Sequence, residues 1–154
     1  MALDFKSIAN KKLSDIERPP LIPVGTYLWN ISKLPEITTS PDEKWDYVDF
    51  TLKCVAPTEE VDQEQIAAFG DITKVTMRHR FIFDKNDKAA FERTQFNLRR
   101  FLEEHVKCAT PDMGMGEAMN ASVNNQVLAS IVWRPDRNDS EVMFANIGRT
   151  APVA

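Results

Sequence analysis

The chain has 154 residues, 43% of them hydrophobic, two cysteines, and a formal charge of -4 at pH 7. That length suffices for one domain with a sizeable core. No apolar run approaches the ~20 residues that cross a bilayer, and no apolar segment with a cleavage site opens the chain. The sequence therefore predicts a soluble, intracellular protein.

Residues 1–24 read as an arm: Leu3, Phe5, Ile8 and Leu13 suit a short amphipathic turn or two, and Pro19, Pro20 and Pro23 then force extended backbone up to Gly25. The rest, residues 25–154, reads as one domain. A first strand over residues 26–32 is rich in aromatic and β-branched residues, with Tyr27, Trp29 and Ile31 on one face. Whether that face meets the core or a groove stays open, because a bulge in a curved strand would exchange the two sides. After a polar loop, a second strand over residues 45–55 turns Val48, Phe50, Leu52 and Cys54 one way and Trp45, Tyr47, Asp49, Thr51 and Lys53 the other.

An acidic connection leads to a third strand over residues 74–83. Val75, Met77, His79, Phe81 and Phe83 alternate there with Lys74, Thr76, Arg78 and Arg80, so one side is apolar and the other cationic. Asp84, Asn86 and Asp87 supply turn and cap chemistry before the one strong helical pattern, roughly residues 87–107, in which Ala90, Phe91, Leu98, Phe101, Leu102 and His105 recur at three- and four-residue intervals. Pro111, Gly114 and Gly116 end it. Two closing strands, residues 127–134 and 142–147, are joined by a turn rich in Pro, Asp and Asn. Trp29 and Trp133 are expected in the core.

Enzymatic signatures are missing. The chain has no GxxxxGK(S/T) phosphate loop, no HExxH and no GxSxG, and the Gly114–Gly116 pair lacks the third glycine of a dinucleotide site. Cys54 and Cys108 lie in no CxxC motif, and a zinc site would need both of them and both histidines, His79 and His105, to converge from four separate places. No catalytic residue, metal or cofactor is expected. What remains is a sheet face that mixes flat rings with cations, the combination that single-stranded nucleic acid requires, because phosphates need Lys or Arg and exposed bases need a surface to stack on. If the second and third strands pair, Trp45 and Tyr47 can share one surface with Lys53, Lys74, Arg78 and Arg80. The competing reading is a solvated face whose cations pair with Asp46 or Asp49.

The order of three strands, a helix and two strands is that of the five-stranded OB-fold, a Greek-key barrel. The pieces Ile22-Pro23-Val24-Gly25-Thr26-Tyr27, Trp45-Asp46-Tyr47-Val48-Asp49-Phe50-Thr51-Leu52, Asn97-Leu98-Arg99-Arg100-Phe101-Leu102, Val132-Trp133-Arg134 and Asn146-Ile147-Gly148-Arg149 resemble a group of small bacteriophage single-stranded DNA-binding proteins. The resemblance implies an OB-fold that coats single-stranded DNA during phage replication or recombination, in the cytoplasm of the infected bacterial host and with little sequence preference. Arg134, in the fourth of these pieces, joins the nucleic-acid-binding set. Affinity is expected to fall steeply with salt as bound cations are released. Further partners on this reading are a second copy of the chain, held through the arm, and replication or recombination proteins; a membrane is not among them. The alternative is a protein-interaction or virion-assembly module that ignores nucleic acid.

Overall fold

A computed structural model describes residues 5–16 and 20–153. Leu3 and Pro19, both used in reading the arm, lie outside the described residues. Within the arm, Phe5–Ser7 and Leu13–Asp15 each form a single 3-10 turn.

Six antiparallel strands make one open sheet: β1 (Gly25–Ile31), β2 (Glu36–Thr39), β3 (Trp45–Pro57), β4 (Thr76–Asp84), β5 (Gln126–Pro135) and β6 (Met143–Ala151). The long β3 is the hub. One of its edges carries β4, and the other carries β2 at residues 46–49 and then β1 at residues 52–57. From β1 the sheet continues to β5 and β6. The free ends of this path, β4 and β6, exchange no ladder among the described residues. Five strands are predicted from the sequence, and the sixth, β2, is the addition. Its four residues are all exposed, so no apolar alternation marks it, and it exists through its pairing with β3.

Alternation elsewhere decides which side is core. Tyr27, Trp29 and Ile31 are fully buried, which settles their direction: the β1–β3 ladder does shift register between Leu28 and Trp29, yet all three side chains stay inside. The Trp29 indole donates to the Ala129 carbonyl at 3.0 Å and the Tyr27 hydroxyl to the Pro23 carbonyl at 2.7 Å, so neither polar tip is stranded by burial. Burial, and next to it Cys54, push the Tyr27 pKa up to about 12. From β3, Val48, Phe50, Leu52 and Cys54 point inward, and β4 adds Phe81 and Phe83.

Helix α2 (Lys88–Arg100) closes this core. Asp87 caps it by accepting from the Ala90 N–H at 3.1 Å, and it runs on through a π turn over Phe101–His105, where the Val106 N–H reaches back to the Phe101 carbonyl. The turn delivers Phe101 between Phe50 and Phe81, with ring centroids 5.0 and 5.4 Å away in edge-on and tilted contacts, respectively. Two short helices are not evident in the sequence. α1 (Gln63–Phe69), capped by Asp62 and stopped at Gly70, lies within the acidic connection, and α3 (Met115–Ala121) follows Gly114. No helix among the described residues is long and apolar enough to cross a membrane.

Candidate nucleic-acid interface

The β3–β4 ladder fixes which outward side chains are neighbours. Its pairs, taken along the strands, are Trp45 with Asp84, Tyr47 with Ile82, Asp49 with Arg80, Thr51 with Arg78, and Lys53 with Thr76. All belong to the face opposite Phe50 and Phe81. From Trp45 to Lys53 this row spans about 27 Å at the ordinary rise per strand residue. The second and third sequence strands therefore do pair, and Trp45, Tyr47, Lys53, Arg78 and Arg80 share one surface.

Each member stands in a different environment. Trp45 is 41% exposed, on a backbone clamped by Ser40: its N–H donates to the Ser40 hydroxyl at 3.1 Å, and its carbonyl accepts from the Ser40 N–H at 2.9 Å. The tight turn between β2 and β3 that brings Ser40 there places Glu43 at φ 61°. It is held by Asp42, which accepts from the Ser40 hydroxyl and the Lys44 N–H. These hydrogen bonds keep the Asp42 carboxyl below its usual pKa. Lys53 and Arg78 are exposed, and their side chains have no ion-pair or hydrogen-bond partner among the described residues.

Arg80 differs. Its Nε and Nη2 donate to the two carboxylate oxygens of Asp49 at 2.7 and 3.0 Å, and its guanidinium carbon stands 4.1 Å above the centre of the Tyr47 ring. Asp49 is only 8% exposed beneath it. The hydrogen bond to Asp49 raises the Arg80 pKa further above neutrality. Two expectations are corrected here: one face of Tyr47 is already covered, and the charge of Arg80 is already matched. The neighbouring Asp46 is engaged as well, accepting from the Thr39 hydroxyl at 2.8 Å and lying 3.2 Å from Lys85, and these contacts hold its pKa down.

Three other placements differ from expectation. Lys74 is not a strand residue: it ends a 3-10 turn, Ile72–Lys74, that Asp71 caps by accepting from the Thr73 N–H, and the strand begins after it at Thr76. Arg134 is not brought to the row. In sheet order β1 separates β5 from β3, and Arg134, paired with Phe144, sits toward the opposite end of β5 from Gln126, which joins the Lys53 row through Asn30. Trp133 is 42% exposed and not a core residue, although its indole donates to the Ile22 carbonyl.

Residues that sequence reasoning passed over include Ile82, an exposed apolar side chain directly opposite Tyr47. Its place in the alternation of β4 with Arg78 and Arg80 was the signal that could have found it. No protein-family model matches the chain, and no curated protein is significantly similar to it.

Proposed function

We propose that this chain is a non-enzymatic single-stranded DNA-binding protein of the OB type, acting in phage replication or recombination with little sequence preference. The observation that carries this reading is the open β3–β4 row, where the exposed ring of Trp45 and the side chains of Lys53 and Arg78, unpaired among the described residues, stand on one surface. Phosphates and unstacked bases can be met together on such a surface. The element order gives further support: with β2 taken as an insertion, the remaining strands and α2 follow the β-β-β-α-β-β order of an OB-fold. A barrel would require β4 and β6 to close on each other.

One observation favours the alternative of an interaction or assembly module. In the arm, Phe5 and Leu13 are 76% and 88% exposed, and a second copy or another protein would cover them. Mixing the full chain with a labelled ~30-mer oligonucleotide at low and high salt, followed by size-exclusion chromatography, separates the two readings. Comigration with the strand at low salt is expected. Oligomers that ignore the strand would replace the first reading with the second.

A further inference from the structure

We infer that the centre of the β3–β4 face is a subsite for an unpaired nucleobase, in which the guanidinium plane of Arg80 is the stacking surface and Asp49 positions it while cancelling its charge. The inference rests on the nucleic-acid reading above and changes what Arg80 does within it.

A two-point fork between a guanidinium and a carboxylate fixes the guanidinium plane, because both N–H bonds lie in it. Here Nε and Nη2 are so engaged, at 2.7 and 3.0 Å. Its carbon stands 4.1 Å above the Tyr47 ring centre, and the side chain keeps 30% of its surface exposed. Guanidinium planes are weakly hydrated and stack on bases. Tyr47 thus acts as the underlay of the stack and not as its top.

A phosphate is the poorer ligand for this group. To take the edge of Arg80 that forms the fork, it would have to displace Asp49 and leave unpaired a carboxylate that is 8% exposed, which is strongly unfavourable; the three N–H bonds outside the fork can donate to a phosphate oxygen only as part of a neutral pair. With the fork intact, the pair has no net charge to offer an anion. Along the row, phosphates are left to Arg78 and Lys53, two and four residues from the Asp49–Arg80 pair. The division is by chemistry: a flat uncharged ring at the centre, anions toward one end, and the exposed Trp45 toward the other.

Binding of the full chain to oligo-thymidine and to an abasic strand of equal length, each across a series of salt concentrations, tests this. Arg80→Lys keeps the charge and the pairing with Asp49 but removes the plane. It is expected to weaken oligo-thymidine binding about fivefold or more, as for the loss of one stacking contact, with the log–log salt slope unchanged. The same variant should bind the abasic strand as the unsubstituted protein does. Asp49→Asn uncovers one positive charge and should steepen the salt slope by about 0.7, the value for one added phosphate contact on a single strand. Thermal melts of both variants check that the fold survives. Unchanged affinity of Arg80→Lys for oligo-thymidine, or an unchanged slope for Asp49→Asn, overturns the assignment while leaving nucleic-acid binding standing. An unsubstituted protein that binds neither strand overturns both.

Discussion

His79 makes the stability of this protein fall with acid in a window that its carboxylates do not share. The residue lies on β4 opposite Phe50, with its ring centroid 4.8 Å from that of Phe81 and 5.1 Å from that of Phe101. Burial among these rings, and next to it the charge of His105, lower its pKa to about 4. The imidazole is therefore neutral in the folded protein over most of the acidic range. In the unfolded chain it titrates near 6.5. Between about pH 6.5 and about pH 4 the unfolded state binds a proton that the folded state refuses, so stability is lost as pH falls through that interval. A drop from 6.5 to about 4, at 1.36 kcal/mol per unit, amounts to at most about 3 kcal/mol. His105 acts in the same direction, lowered mainly by burial and then by Arg100, with Glu104 opposing. The depressed carboxyls of Asp42, Asp46 and Asp71 weaken the fold only as pH approaches their unfolded values near 4. Urea unfolding at about pH 7.5 and about pH 4.5, on the natural chain and on His79→Leu, isolates the term. The natural chain should lose about 2 kcal/mol more than the variant between the two conditions. Equal losses would mean that the imidazole is protonated inside the fold, and the packing argument would fail.

Two substitutions test the parts that position the face. Gly25 has φ 141°, and a Cβ there would lie 2.7 Å from the Val61 Cγ2 and 3.3 Å from the Val61 Cα. Gly25→Ala combines backbone strain with overpacking and should cost about 2–4 kcal/mol, read as a lower urea midpoint; an unchanged midpoint would mean that β1 starts differently. Trp45→Ala removes a ring that is 41% exposed from a backbone that Ser40 holds in place, so the fold should survive with a loss of about 1–2 kcal/mol while oligonucleotide affinity drops by about 1–3 kcal/mol. An unchanged titration would remove Trp45 from the interface.

The parts of the fold that follow one rule over many residues were legible. Strict alternation marks β3 and β4, and three- and four-residue spacing together with an Asp cap marks α2, since burial on one side dictates both patterns. The missed elements are short and depend on their surroundings. β2 is four exposed residues paired to β3, and α1, with no fully buried residue, lies in a stretch whose acids mask the Asp62 cap. At the site, residue types and face were readable, but partnership was not. Whether Arg80 meets Asp49 or open solvent depends on the β3–β4 register, and a shift of two residues would preserve the alternation while placing Asp49 opposite Arg78 or Ile82. Lys74 was misread because Val75 continues the apolar alternation of β4 backward through a 3-10 turn.

The acidic stretch from residue 36 to residue 64 runs counter to a nucleic-acid surface, and its hydrogen bonds resolve much of that conflict. Asp42 and Asp62 hold turns and caps, Glu36 meets Lys33, Asp46 meets Lys85, Asp49 meets Arg80, and Glu60 accepts from the Thr26 hydroxyl. These carboxylates serve local structure, and on the β3–β4 row the one inside the ladder is neutralised by its neighbour. At physiological salt a charge is screened beyond about 8 Å, so the overall negative balance slows approach more than it opposes contact. The same pairing limits the gain. With Arg80 matched, and Lys74 and Arg134 off the row, Lys53 and Arg78 are the row's unpaired cations among the described residues. Two phosphate contacts on a single strand give a log–log salt slope of about -1.4, far shallower than a face of five free cations would give. Replacing both residues with Ala should bring the slope close to zero and leave a weak, stacking-dominated association. A slope of about -3 or steeper in the natural chain would show that strands engage cations beyond this row, and the face would have to be drawn elsewhere on the molecule.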